Sequence, residues 1–268
     1  MPELVVASFN VHAGVDGWGR PFDVVAACSE LNADVLFLQE NWIPENSEGL
    51  ASMVASSLGY EVHEAPLSGA ILFEPPTPTG GRWGPSARHR SSASPLWVTD
   101  AQTLSRVRRQ RPQAGERLGS WGIAVLSRLA MERVEAVELG RLAKDHGRLR
   151  AALFAEINVA GSPVTVVGTH LAHFMHGSPL LLERLRGRLP APSQPAVLAG
   201  DMNFWGPPVS LALPGWRRAV RARTYPTWHV HSQIDHILVT RGVKVVSGES
   251  VPVGRSDHWP IRARLLVA

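Results

Sequence analysis

The chain alternates short apolar runs with polar clusters, and the spacing within these runs predicts both strands and helices. Residues 4–9 are apolar over the length of a strand, whereas residues 22–31 carry apolar side chains at helical spacing. Residues 35–38 predict a second, buried strand. A strand, helix, strand order of this kind indicates a sheet that is covered by helices on one face.

The remaining apolar runs predict many strands and few helices. Further strands are predicted over residues 70–73, 122–126, 134–139, 150–159, 163–169, 196–199, 234–240, 243–247 and 261–267. Helices are predicted over residues 47–58, with Ser47 as N-cap and Gly59 as the stop, over residues 179–189, and briefly after Pro207. Because the sequence has neither an internal repeat nor a clean linker, we expect residues 1–268 to form a single α/β domain with two stacked sheets.

A segment rich in Arg, Pro and Gly interrupts this pattern at about residues 75–120. Loops of this length in a compact domain are lids or insertions, and we interpret the segment as an insertion. Residues 82–117 hold eight Arg against Asp100 and Glu116, a local balance of +6, so the rest of a chain with net charge +4 sums to −2. This local positive charge fits an anionic ligand, although GC-rich coding produces the same excess of Arg over Lys.

Composition excludes several classes of protein. No apolar run reaches about eighteen residues, and the first residues resemble a strand rather than a signal peptide, so we expect neither membrane insertion nor secretion. Cys28 is the single cysteine, which excludes a disulfide scaffold and a zinc site built from several cysteines. A cytoplasmic location fits these features best, and the sequence leaves the oligomeric state open.

Polar side chains suited to hydrolytic chemistry follow the apolar runs, where a sheet presents its site. They are Asn10, Glu40, His170, Asp201, Asn203, Asp235, His236, Asp257 and His258. Taken singly, each also fits a helix cap, a turn or a surface position. Taken together, oxygen donors without cysteine suit a hard cation such as Mg²⁺ or Mn²⁺, and a His beside acidic residues suits a general base that activates water. Phosphate esters are the expected substrates, because such a site stabilises an anionic transition state.

Seven short motifs around these residues occur in a characteristic order. They are the strand that ends at Asn10, Leu38-Gln39-Glu40, residues 122–128, Thr169-His170-Leu171, residues 200–203, residues 234–237 and residues 256–260. This set resembles the endonuclease/exonuclease/phosphatase superfamily, the DNase I-like group, and in particular its small bacterial members. The resemblance implies a four-layer α/β/β/α sandwich, with two stacked mixed sheets flanked by helices, and a metal-dependent hydrolase acting on phosphoric ester bonds.

The resemblance also implies roles for individual residues. Glu40 is expected to be the principal Mg²⁺ ligand, with Asn10 and Asp257 completing or supporting the metal site. His258 is expected to deprotonate the attacking water, while Asp235 accepts the other ring proton and fixes the tautomer.

Three more residues are expected at the scissile phosphate. Asp201 and Asn203 point the same way if their segment stays extended, and either protonate the leaving oxygen or orient the nucleophile. His170 is expected to donate to a non-bridging oxygen. Trp121 precedes Gly122 where many relatives have tyrosine, whereas Thr224-Tyr225-Pro226 resembles an element of the small bacterial members.

Three of the nine tryptophans, Trp42, Trp205 and Trp259, lie within two positions of predicted site residues. One hypothesis is that they wall the cleft and stack on a base, a sugar or an acyl group of the substrate. The alternative is that they pack the rim of the sheets.

The sequence therefore predicts a Mg²⁺-dependent phosphoesterase, nuclease-like, that cleaves a phosphodiester by direct attack of a His258-activated water. A phosphatase or phosphodiesterase acting on small molecules or lipid headgroups is an alternative, because fold and catalytic residues are shared across these activities. A catalytically inactive binding module is a third interpretation, which the chemically competent residues at every site position disfavour.

Overall fold

The computed structural model describes residues 1–73, 96–99, 101–110 and 116–268. The strands in this part of the chain are β1 (Glu3–Asn10), β2 (Val35–Pro44), β3 (Glu61–Phe73), β4 (Leu96–Thr99), β5 (Glu116–Ser127), β6 (Met131–Arg141), β7 (Leu149–Val159), β8 (Ser162–His170), β9 (Ala196–Asp201), β10 (Arg217–Arg218), β11 (Asp235–Val239), β12 (Val243–Ser250) and β13 (Ile261–Val267). The α-helices are α1 (Val24–Leu31), α2 (Leu50–Leu58), α3 (Ala101–Gln110), α4 (Ser178–Arg186) and α5 (Gly206–Ala212).

The strands form two mixed sheets. The first sheet has the order β12-β13-β1-β2-β5-β3-β4, and the second has the order β10-β11-β9-β8-β7-β6. Each sheet contains one parallel pair, β1 with β2 and β8 with β9, among antiparallel neighbours. The parallel pairs lie in the middle of the sheets, where the chain crosses over through α1 and α4.

Alternation along the strands explains why the sheets stack. In β1, Leu4 and Val6 point into the cluster between the two sheets, whereas Ala7 and Phe9 point outward to a second cluster. Period-two alternation with both faces buried is the pattern of a strand packed between layers. The sheet therefore needs a covering layer on its outer face as well.

Helices supply these outer layers. Helices α1 and α2 pack on the outer face of the first sheet, while α4 and α5 pack on the outer face of the second. Three apolar clusters thus fill the three interfaces between four layers. The predicted four-layer α/β/β/α sandwich with two stacked mixed sheets is confirmed.

The structure corrects the predicted starts of strand β3 and helix α2. Strand β3 begins at Glu61 rather than residue 70, because pairing with β5 orders a stretch whose Pro66 and Gly69 obscure its alternation. Helix α2 begins at Leu50, so Ser47 is not its N-cap. The side-chain oxygen of Asn41, on β2, instead accepts the Ala51 N–H at 2.9 Å, so a neighbouring strand caps the helix.

Part of the predicted insertion has regular structure. Strand β4 pairs with β3 at the edge of the first sheet, α3 follows it, and β5 begins at Glu116 rather than residue 122. Residues 74–95, 100 and 111–115 lie outside the described residues, and so do four of the segment's arginines, Arg82, Arg88, Arg90 and Arg111. A single domain with an insertion near residue 75 stays a proposal. Among the described residues, no helix combines the length and the hydropathy needed to cross a membrane.

Candidate active site

Strand register brings the site together. Asp201, the last residue of β9, lies opposite His170 in the parallel pair with β8 and opposite Asp235 in the antiparallel pair with β11. Asn10 ends β1 of the other sheet, and its side-chain amide donates to Asp201 Oδ2 at 3.1 Å. The ends of strands from both sheets therefore converge on the Asp201 carboxylate.

Asp201 is the centre of the buried part of the site. Its Oδ1 accepts the Asn203 N–H at 2.8 Å. Its Oδ2 lies 3.5 Å from His170 Nε2 and 3.8 Å from His258 Nε2. Two imidazole rings therefore face one carboxylate oxygen.

His258 is oriented from its other side. Its Nδ1 lies 2.9 Å from Asp235 Oδ2, and Thr224 Oγ1 donates to the same oxygen at 2.5 Å. A carboxylate beside Nδ1 fixes the proton on that nitrogen, so Nε2, which faces Asp201, is the ring atom that gains or loses a proton. The predicted partnership of His258 with Asp235 is present in the structure.

Burial and neighbouring charges shift the pKa values of these groups. Burial, strengthened by the negative charge of Asp235, raises the pKa of Asp201 to about 7. Burial opposes protonation of His258, but Asp235, Asp201 and Asp257 outweigh it and hold the pKa of His258 well above its ordinary value. Burial, together with the positive charge of Arg150, holds the pKa of His170 well below its ordinary value. In the metal-free protein these shifts favour the protonated form of His258 and the neutral form of His170.

Glu40 occupies a β-bulge. The register of β2 with β5 shifts between Gln39 and Asn41, and Glu40 takes a positive φ of 53°. A bulge re-aims the extra side chain, here toward Asn10, whose amide nitrogen lies 3.5 Å from Glu40 Oε1. This backbone conformation is strained for a residue with a side chain, as is common at functional sites.

Asp257 lies on the segment that enters β13. Its Oδ1 is 3.5 Å from His12 Nδ1 and 3.3 Å from the Ser256 hydroxyl oxygen. The Asn10 carbonyl accepts a hydrogen bond from the same hydroxyl at 2.7 Å, so this segment is held against the end of β1. The structure thus places Asn10, Glu40 and Asp257 at one end of the first sheet.

These three residues fit a hard cation. Asn10, Glu40 and Asp257 offer oxygen donors, and the Glu40 carboxylate has only one long polar contact among the described residues. In the part of the chain that the structure describes, one group of three acidic or imidazole side chains has its ligand atoms within 4.8 Å: Asp201, Asp235 and His258. The distance of 2.9 Å between His258 Nδ1 and Asp235 Oδ2 is that of a hydrogen bond, so we interpret this group as a hydrogen-bonded network that transfers protons.

The turn after β9 departs from the prediction for Asn203. Gly200 has φ 148°, and a Cβ there would lie 2.0 Å from the Thr169 carbonyl oxygen, so the strand ends on a position that requires glycine. Asn203 has a positive φ of 48°, so the segment does not stay extended and the two side chains are not parallel. The Asn203 amide donates instead to the Leu171 carbonyl at 3.1 Å and lies 3.5 Å from His170 Nε2.

The three tryptophans flagged in the sequence have different environments. Trp42 is 3% exposed and belongs to the core between the sheets, so the prediction that it walls the cleft is wrong. Its position in β2 points it into the apolar cluster between the two sheets. Trp205 is 51% exposed and its ring lies 4.8 Å from Phe174. Trp259 is half-buried, and its backbone N–H donates to the Thr224 carbonyl at 2.9 Å.

Sequence reasoning missed several residues of the site. Thr224 holds Asp235, and the Tyr225 ring lies 4.7 Å from that of His258. Burial and then the carboxylate of Asp257 raise the pKa of Tyr225. Their Thr-Tyr-Pro element was visible in the sequence, but its role was not, because the contact between Thr224 and Asp235 joins residues that are 11 positions apart.

A buried arginine also packs behind the site. Arg150 is buried, pairs with Asp145 through two hydrogen bonds of 2.7 and 3.2 Å, and stacks on Trp121 at 4.9 Å. The Trp121 ring in turn lies 5.3 Å from His170. Trp121 therefore packs against the site from the core between the sheets.

A model of the endonuclease/exonuclease/phosphatase family matches residues 7–258, a range that runs from before Asn10 to His258. The chain belongs to the endonuclease/exonuclease/phosphatase family. Its members are metal-dependent phosphoester hydrolases, and this chain is a hydrolase of that class. No curated protein matches the chain.

Solved structures from this family share the fold at low sequence identity. An endonuclease/exonuclease/phosphatase from Beutenbergia cavernae is 21% identical, with 100% of this chain and 72% of that chain covered and a TM-score of 0.63. TDP2 from D. rerio, complexed with a single-strand DNA product, is 15% identical, with 99% of both chains covered and a TM-score of 0.60. The human Nocturnin catalytic domain with bound sulfate is 14% identical, with 100% of this chain and 94% of that chain covered and a TM-score of 0.62.

Proposed function

We propose that this family member is a Mg²⁺-dependent phosphodiesterase, nuclease-like, in which a water activated by His258 attacks phosphorus directly. The observation that carries the proposal is the placement of His258 between two carboxylates, with Nδ1 2.9 Å from Asp235 and Nε2 facing Asp201 at 3.8 Å. In its deprotonated form His258 has its remaining proton on Nδ1, so a water in contact with Nε2 meets a base of fixed tautomer. General-base catalysis by such a residue contributes about 10²- to 10⁴-fold in rate.

Asp235 acts through His258. By accepting the Nδ1 proton it holds the ring in place, and it stabilises the positive ring that forms when Nε2 takes the proton of water. Thr224 donates to the same Asp235 oxygen and prevents the carboxylate from rotating. His258 and Asp235 thus form a proton-accepting unit.

Asp201, Asn203 and His170 are proposed to contact the reacting phosphate. Asp201 lies between the two imidazole rings, where it can orient the attacking water beside His258. His170 is neutral and buried, and it can donate to a non-bridging oxygen as charge develops there. The Asn203 amide lies beside His170 Nε2 and adds a second donor on that side.

Glu40, Asn10 and Asp257 are proposed to hold the metal ion, Mg²⁺ or alternatively Mn²⁺. A divalent cation there would supply positive charge that polarises the phosphoryl oxygens and stabilises the transition state. The bulge at Glu40 directs its carboxylate to the end of β1, and Asp257 reaches the same end from β13. All three ligand atoms would be oxygens, two from carboxylates and one from the Asn10 side-chain amide, as Mg²⁺ prefers.

A nucleic acid is the favoured substrate. The similar fold of TDP2, seen with single-strand DNA product, supports a phosphodiester of this kind. The local excess of arginine in residues 82–117 also favours a polyanion.

The test is Mg²⁺-dependent nicking of supercoiled plasmid, alongside phosphate release from nucleotides, sugar phosphates and phospholipids. We expect nicking that disappears with EDTA and in His258→Ala. Intact plasmid with release from one small substrate would instead support the small-molecule or lipid-headgroup alternative. A folded protein that binds no Mg²⁺ and cleaves nothing would support an inactive binding module.

A further inference from the structure

A line of aromatic rings leads from the catalytic His258 to the surface. The Tyr225 ring lies 4.7 Å from His258, the Trp228 ring 6.4 Å from Tyr225, and the Trp18 ring 5.3 Å from Trp228. The Arg20 guanidinium carbon lies 5.4 Å from the centre of the Trp18 ring. We name Tyr225, Trp228 and Trp18 the aromatic track.

The outer rings of the track are open to a ligand. Trp18 is 55% exposed and Trp228 is 52% exposed, in contrast to Trp121, which is 2% exposed in the core. The rings of the track meet at 57° and 63°, so they present separate flat faces rather than one continuous apolar floor. Separate flat faces suit planar ligands.

The Trp18 end of the track is held rigid by its own loop. The buried Asp16 carboxylate accepts the N–H groups of Trp18 and Arg20, each at 2.9 Å, and Arg20 Nε at 2.7 Å. At Gly17, an added Cβ would lie 2.4 Å from the Trp228 ring. Gly17 therefore leaves the space in which Trp228 sits, and little ordering is needed when a ligand binds.

The other end of the track is tied to the catalytic segment. The Thr227 N–H donates to the Asp257 carbonyl at 3.0 Å, and its hydroxyl donates to the Ser256 carbonyl at 2.9 Å. The backbone N–H of Trp259 donates to the Thr224 carbonyl at 2.9 Å. The loop that carries Tyr225 and Trp228 is thus fixed relative to His258.

We propose that the aromatic track binds unpaired bases of a single-stranded nucleic acid whose phosphodiester lies at His258. The inference rests on the proposed function and names its substrate class. Every base has a face that stacks on an aromatic ring, so such a track binds single strands without reading their sequence. In a duplex these faces are already stacked on neighbouring bases, so they are not available to Trp18 and Trp228.

The test measures binding of the full chain to a labelled single-stranded oligonucleotide of about 12 nucleotides, with Ca²⁺ in place of Mg²⁺ to prevent turnover. We expect Trp18→Ala and Trp228→Ala each to weaken binding by about fivefold or more, and Gly17→Ala to weaken it by displacing Trp228. Leu211→Ala, at an 82% exposed position on α5, is the control and should bind as wild type. An oligonucleotide of the same length that lacks its bases should show no difference between wild type and the track variants.

Three outcomes would overturn the proposal. In the first, the wild type and both Trp variants bind the oligonucleotide equally, and in the second, the variants lose as much affinity for the oligonucleotide without bases as for the intact one. In the third outcome, the variants bind the oligonucleotide as wild type does but lose affinity for phosphatidylcholine/phosphatidylserine vesicles. The last outcome would assign the track to a lipid surface. Hydrolysis of bis(p-nitrophenyl) phosphate, which is too small to reach Trp18, separates this inference from the proposed function. We expect the track variants to retain it, whereas a wild-type protein that hydrolyses no phosphate ester would contradict the proposed function alone.

Discussion

The two sheets contribute opposite kinds of environment to the site. The second sheet supplies Asp201, Asp235 and His170, which are buried and lie within a network of short contacts with His258. The first sheet supplies Glu40, which is half-buried on a bulge and has one polar contact of 3.5 Å among the described residues. The carboxylates of one half are therefore paired with neighbouring side chains, although His170 Nδ1 has no hydrogen-bond partner among the described residues, and the other half keeps carboxylate capacity for a ligand.

This difference separates proton transfer from charge neutralisation. Buried groups with fixed partners keep a defined tautomer and orientation, which general-base chemistry requires. A partly exposed carboxylate with few partners binds a cation without first breaking strong contacts. Substitutions in the two halves should therefore fail in different ways.

The largest effect is expected from Asp235→Asn. The amide leaves the His258 ring without its proton acceptor and favours the wrong tautomer, so kcat should fall by about 10³-fold or more. Glu135→Gln, at an exposed position on β6, is the matched control and should leave kcat unchanged. Steady-state rates on a phosphodiester measure both, and a near wild-type kcat for Asp235→Asn would remove His258 from its proposed role.

Glu40→Gln should fail in a way that added metal repairs. Loss of one negative ligand should raise the Mg²⁺ concentration for half-maximal activity by about tenfold or more, with kcat largely recovered at high Mg²⁺. Asp235→Asn should not recover. Measuring the activity of both variants over a range of Mg²⁺ concentrations tests whether the two halves of the site have different roles. The same dependence on Mg²⁺ in both variants would refute this.

Acid should destabilise the metal-free protein through the second sheet. His236 is buried beside Asp235 and Arg218, and its Nε2–H donates to the Phe204 carbonyl at 2.7 Å. Burial lowers the pKa of His236 to about 4. Its neutral form is therefore favoured in the folded state, while the unfolded chain takes up a proton below about pH 6.5.

The stability that depends on neutral His236 is complete above about pH 6.5 and is lost as the pH falls toward 4, by about 3 kcal/mol. Urea unfolding in EDTA across this range measures the loss. His236→Gln has no titratable group at this position, so its free energy of unfolding should depend less on pH. The same slope in both proteins would show that His236 is not the responsible group.

The smallest effect is expected from Thr224→Val. The change removes the hydroxyl that donates to Asp235 and should lower the free energy of unfolding by about 1–2 kcal/mol, with kcat reduced by about tenfold. Thr224→Ser keeps the hydroxyl and should restore both. Thermal melts and rates test this, and equal behaviour of the Val and Ser variants would show that the hydrogen bond is unimportant.

The sequence predicted the fold well because burial on both sides leaves a strong pattern. Strand β13 and helix α1 were found nearly to the residue, since every second or every third to fourth side chain is apolar. Strand β3 was predicted to begin nine residues too far along the chain, because its N-terminal part is ordered by pairing with β5 and not by its own apolar pattern. Long-range pairing of this kind is not visible in a local window.

The site was predicted in part. Residues at strand ends, such as Asp201 and Asp235, carry their own chemical signal, and strand register brings them together. The orientation of Asn203 and the burial of Trp42 depend on a single backbone dihedral and on the alternation phase of β2, which residue types alone do not reveal. The aromatic track was missed because Trp18 and Trp228 are far apart in the chain and meet only across Gly17.

Direct attack of a His258-bound water on phosphorus is the central claim, and the stereochemistry of hydrolysis tests it most directly. The measurement uses a phosphorothioate diester of one configuration, cleaved with Mg²⁺ in ¹⁸O-labelled water. A single displacement by water predicts inversion at phosphorus. Retention would require two displacements through an enzyme-bound intermediate and would contradict the account.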